Sequence, residues 1–80
     1  MSGKPPITPH AAYGRVLRKL RLAAGLSQEQ LGLEAGVQRN FISLIETGQN
    51  QPTIGTLFKL AGALGVKPSK MVAEAEKLAE

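Results

Sequence analysis

The sequence predicts an all-α fold, a compact domain of five short helices, and three observations carry that expectation. Apolar side chains recur at three- and four-residue spacing along most of the chain, and strand-like alternation is found nowhere. Gly25, Gly36, Gly48 and Gly65 interrupt the pattern where helices would end. Ser27 and Thr53 stand just ahead of apolar runs, as N-caps do, and Pro68 suits a first helical position.

The elements follow in order. Residues 1–9, MSGKPPITP, contain three prolines and read as a flexible leader, with the domain proper spanning 10–80. A first helix begins at His10, burying Val16, Leu17, Leu20 and Tyr13 and ending near Gly25. Ser27 opens the second through a capping box: its hydroxyl accepts the Gln30 N–H, and the Gln30 side chain reaches back. Leu31 and Ala35 mark the inner face, with Leu33 beside them, and Gly36 stops the helix in a positive-φ turn. The third helix runs from about Gln38 to Thr47, with Phe41, Ile42, Leu44 and Ile45 apolar. Thr53 caps the fourth, in which Ile54, Leu57, Leu60, Ala61 and Leu64 are spaced for burial. The fifth starts at Pro68 and carries a stripe of Met71, Val72, Ala75 and Leu78.

Bulk properties narrow the function. Eighty residues make one domain. With no cysteine there is neither disulfide nor thiolate chemistry, which fits a reducing, cytoplasmic setting. No apolar run reaches the ~20 residues of a membrane span, and the leader lacks the apolar stretch of a signal peptide. Ten basic side chains against six acidic ones give +4, which favours a polyanionic partner. An enzyme is not expected. The single histidine, His10, lies at the edge of the leader, aspartate is absent, and the glutamates form no acid–base or metal-ligand set. Neither cofactor nor small-molecule ligand is expected.

Two short helices joined across Gly36 form the helix-turn-helix signature. Leu31, Ala35, Val37, Ile42 and Ile45 join the pair, and position 32 needs a small side chain where the helices cross, which Gly32 supplies. The second of the pair begins with three polar residues, Gln38, Arg39 and Asn40, so its first turn faces water or a wet partner.

With those residues on the page, the chain resembles the phage-repressor/Cro-type helix-turn-helix family, the xenobiotic-response-element class of transcriptional regulators. "LSQEQL", "AGV", "IETG", "PT" and "ALGV" fall in that family's order and spacing over roughly residues 12–67. It is most similar to small stand-alone regulators, including controller proteins of restriction–modification systems. The resemblance implies sequence-specific binding of double-stranded DNA by a homodimer on a palindromic operator. It places Gln38, Arg39, Asn40 and Ser43 at bases in the major groove; arginine pairs with guanine O6 and N7, asparagine with adenine N6 and N7. It places Gln28 on a phosphate at a helix N-terminus, with Arg18, Thr47, Gln49 and Asn50 as further phosphate contacts. Phe41 is left between core and interface. Arg21 and Glu46 are expected as a structural ion pair, and Leu64, Val66, Met71, Val72 and Ala75 as the dimer interface. The loop TGQNQPT departs from relatives that grip phosphate with Arg or Lys there, so a shallow salt dependence is expected. The rival reading keeps the fold without DNA, as a protein-interaction adaptor or antitoxin-like module. Intact Arg39 and Asn40 argue against it.

Overall fold

The computed structural model describes residues 7–79, and within them the chain forms five α-helices: α1 Pro9–Ala23, α2 Gln28–Ala35, α3 Arg39–Glu46, α4 Ile54–Leu64 and α5 Pro68–Ala79. No strand occurs among the described residues. The first helix starts one residue earlier than the sequence suggests. Thr8 caps it by accepting the Ala11 N–H at 3.2 Å, and Pro9 occupies the first turn, where a missing N–H costs nothing. Ile7 packs against the core, so 7–9 belong to the folded domain rather than the leader. Residues 1–6 of that leader lie outside the described residues.

Local chemistry sets the remaining ends. The Ser27–Gln30 capping box forms in both directions, at 3.0 and 2.8 Å. Thr53 accepts the Thr56 N–H at 3.1 Å to start α4. Gly36 closes α2 at φ 72°, and its N–H and that of Val37 both return to the Gly32 carbonyl, at 2.9 and 3.0 Å. That left-handed position is one an L side chain rarely adopts, so the bend between α2 and α3 is fixed by a single residue.

The core is one cluster in which Leu17, Leu31, Ile42, Ile45, Leu60 and Met71 are fully buried. α5 packs chiefly across α1, and α3 lies against both α1 and α2. Tyr13 is buried at the α1–α5 contact and donates its hydroxyl to the Met71 sulfur at 3.9 Å. Burial there pushes the phenol pKa well above its ordinary value.

Several expected core positions differ. Leu33 is 79% exposed: it stands two residues from Leu31, about 200° around the helix and therefore on the opposite face. Ile54, the first residue of α4, is 71% exposed, because a helical side chain leans toward the N-terminus and here extends past the elements that cover Leu57. Leu20 and Leu64 are partly buried rather than enclosed, and Leu78 is exposed.

Candidate nucleic-acid interface

The site is built on α3. Gln38 is extended at φ −65°, ψ 141° and caps the helix with its backbone: its carbonyl accepts the N–H groups of Phe41 and Ile42 at 3.0 and 3.1 Å, while its side chain makes no capping bond. Arg39 and Asn40 follow, both exposed. Neither has a side-chain hydrogen bond or ion pair among the described residues, so Asn40 is not spent on a local cap. Ile42, Ile45 and Glu46 face inward. Arg39, Ser43 and Thr47 follow one another at four-residue spacing on the outer side, with Asn40 beside them. Phe41, placed between core and interface by sequence, is partly buried and packs against the core cluster.

The other end of α3 is held by a polar cluster. Arg21 Nε donates to Glu46 Oε2 at 2.6 Å and Nη2 to Oε1 at 3.0 Å, a two-pronged pair with side chains 8% and 2% exposed. Arg21 Nη1 also donates to the Leu26 carbonyl at 2.9 Å, which ties the α1–α2 connection into the same cluster. The hydrogen bond to Glu46 raises the Arg21 pKa above its ordinary value, while burial opposes the shift. The expected ion pair is therefore present. It fixes the ends of two helices to each other and so fixes the direction in which the head of α3 points.

Gln28 belongs to this cluster as well. Its Nε2 donates to Glu46 Oε1 at 3.0 Å and the residue is partly buried, so one of the two amide hydrogens expected to face phosphate is turned inward. Thr47 and Gln49 meet each other: Gln49 Nε2 donates to Thr47 Oγ1 at 2.9 Å, and the threonine hydroxyl donates back to the Ser43 carbonyl at 3.0 Å. Asn50 is partly buried, with its N–H on the Leu44 carbonyl at 3.2 Å. Arg18 is exposed on α1.

Two expected interface residues are corrected. Met71 is fully buried and Ala75 is 7% exposed within a single chain; both face α1 one turn apart on α5, so neither is free to meet a partner. Leu64, Val66 and Val72 keep partial or substantial exposure.

Gly14 has a packing role that helical spacing alone does not reveal. A Cβ there would stand 2.0 Å from the Ile45 carbonyl oxygen, so α1 and α3 touch backbone to backbone at that point. Its signal was a lone glycine amid strong helix formers, AAYGRVLRK, where it costs about 1 kcal/mol against alanine unless packing requires it. Gly32, singled out in the sequence, is confirmed as a tight position; what an added Cβ meets first is the Val37 carbonyl oxygen in the turn, at 2.5 Å.

An exposed polar tip, on a short helix braced across a glycine turn, defines a DNA-binding helix-turn-helix domain. The helix-turn-helix family HTH_3 matches residues 17–71. An uncharacterised HTH-type transcriptional regulator, y4dJ of Sinorhizobium fredii, is 37% identical over 74% of this chain and 77% of its own length. Control protein C.BamHI of Bacillus amyloliquefaciens is 34% identical over 75% of each. Among solved structures, the restriction–modification controller protein C.AhdI of Aeromonas hydrophila superimposes with a TM-score of 0.75 at 38% identity, covering 76% of this chain and 92% of that one. The clp gene regulator ClgR of Corynebacterium glutamicum reaches 0.89 over 98% of this chain and 100% of its own, at 23% identity, a likeness of fold alone. The chain belongs to the HTH_3 helix-turn-helix family and is a transcriptional regulator of that class. No described helix is long and apolar enough to cross a membrane.

Proposed function

We propose that this regulator reads a palindromic operator in double-stranded DNA as a homodimer, acting in the cytoplasm as repressor, activator or both, with no catalytic step. The observation that carries this reading is the first turn of α3. Gln38, Arg39 and Asn40 are exposed and uncommitted, while Arg21 and Glu46 hold the far end of the same helix. A guanidinium and an amide carried on the head of a braced helix match the guanine and adenine edges of the major groove, and Ser43 follows one turn later. Arg18, the outward hydrogen of Gln28, and the Thr47–Gln49–Asn50 loop at the far end of α3 are the further phosphate contacts of this reading, with free N–H groups at the start of α2. An eight-residue reading helix addresses only a few base pairs. Each is worth about 1–3 kcal/mol of discrimination, so two copies are needed to single out one site. A two-fold pair places its reading helices ~34 Å apart, one DNA turn.

Selection from random duplexes, followed by fluorescence anisotropy at two salt concentrations, tests this. The expected result is enrichment of a two-fold symmetric sequence bound with a shallow slope of log K on log salt, about −2 to −4. Failure to enrich any sequence, with no salt-sensitive binding, would favour a protein-interaction adaptor instead.

A further inference from the structure

Across α1 from α3, the chain gathers cations around an apolar strip. Tyr13 meets Met71, and residues 15–19 share a groove with residues 74–78, so α1 and α5 run side by side in the same direction. The groove between them, about 450 Å³, is rimmed by Arg15, Lys19 and Lys77, with Glu74 as its one anion. Val16 closes the base. The accessible apolar surface is Leu78, 47% exposed, and Leu22, 54% exposed and three residues beyond Lys19.

The three cations are exposed, and none forms an ion pair among the described residues. DNA reading does not use them either. Lys19 stands two residues, about 200° of helix, from Arg21, whose side chain holds α3. Arg15 is one turn from Lys19 on that far side, and like charges one turn apart weaken a helix. The chain thus carries a local cost that an oppositely charged partner offsets.

The lining sets the chemistry of that partner. Three cations to one anion call for carboxylates or phosphates. A phosphate backbone has no apolar side to cover Leu22 and Leu78, and Glu74 repels it at the groove itself. A protein segment supplies both kinds of group, and two helices side by side form a groove that takes an amphipathic helix.

We propose that the α1–α5 groove docks an acidic amphipathic helix of a partner protein, its carboxylates on Arg15, Lys19 and Lys77 and its apolar edge on Leu22 and Leu78. The site lies across α1 from the reading helix, so the regulator can hold the partner and a duplex at once. Its few lining residues fall short of the roughly 20–30 a side of a standard interface, so the contact is weak and exchanges quickly.

An NMR titration of the full chain without DNA tests this. The probe is an amphipathic peptide of two ELLEELE repeats, and a peptide of the same length made of glutamate alone is the comparison. The wild type is expected to bind the amphipathic peptide with Kd between about 10 µM and 1 mM, with amide shifts gathered at residues 15–22 and 74–79. The double variant Lys19→Glu, Lys77→Glu should bind at least about tenfold more weakly. Leu78→Ser, which removes apolar contact and no charge, should bind at least about threefold more weakly. Arg39→Ala should bind like the wild type. Circular dichroism checks that each variant is folded. No shift at about 1 mM peptide, or equal binding of the glutamate peptide, overturns the proposal. So do shifts gathered at residues 38–40 and lost in Arg39→Ala, which would make the peptide a phosphate mimic at the reading tip. A random-sequence duplex that shifts residues 15–22 and 74–79 where the amphipathic peptide does not would assign the groove to nucleic acid. No operator enters the measurement, so the groove stands or falls apart from the operator reading.

Discussion

Arg21 and Glu46 show how much one pair of side chains controls. Removing the arginine strands a carboxylate that is 2% exposed, and breaking a buried pair costs about 3–5 kcal/mol. For a domain of this size Arg21→Ala should lower Tm by at least about 12 °C in the absence of DNA, followed by circular dichroism; an unchanged Tm would remove the pair from the account. Gln28→Ala separates two roles. If Gln28 both supports Glu46 and touches phosphate, the variant loses about 0.5–1.5 kcal/mol of stability and weakens all duplexes alike. Tyr13 sets an alkaline limit. Its folded pKa is raised by burial, so the native state keeps the proton where the unfolded chain releases it. The stabilisation is complete below about pH 10 and falls as pH rises past it, by up to 1.36 kcal/mol per pH unit. Urea melts at pH 8 and pH 11 should show a smaller alkaline loss for Tyr13→Phe than for the wild type. Equal losses would mean that the phenol titrates normally. The ion pair was legible because its partners stand in the family pattern. The Gln28–Glu46 bond was not, because it joins residues 18 positions apart through a rotamer that no spacing encodes.

At the scale of the element, helix ends were readable and helix faces less so. Ser27, Gly36, Thr53 and Gly65 act on their own neighbours through caps and left-handed turns, and these are local chemistry. Faces depend on what lies opposite. Leu33 and Ile54 are apolar by type yet exposed, and Gly14 is tight only because α3 crosses there. The glycines make the point testable. Gly14→Ala should destabilise by about 1–3 kcal/mol despite alanine's better helix propensity, because the added carbon would press on the Ile45 carbonyl. It should also weaken DNA binding by tilting the reading helix. A rise in Tm for Gly14→Ala, measured by thermal denaturation, would show that α1 and α3 are not in backbone contact.

For the molecule as a whole, α1 and α5 form a support and the α2–turn–α3 pair forms the working edge. The family pattern in the sequence reached this architecture because the turn and the polar tip are contiguous in the chain. It did not separate core from surface at the α4–α5 corner, since apolar stripes there serve equally for either, and Met71 and Ala75 turned out to be core. With few cations near the tip, affinity in this account comes from base contacts and from two copies acting together rather than from bulk charge.

The most direct test of that account is anisotropy of Arg39→Ala on the selected operator and on its single base-pair variants. Reading by the head of α3 requires a loss of about 1–3 kcal/mol on the operator, together with relaxed preference at one position in each half-site. A loss of equal size on every duplex would instead make Arg39 a phosphate clamp and contradict the placement of α3 in the groove.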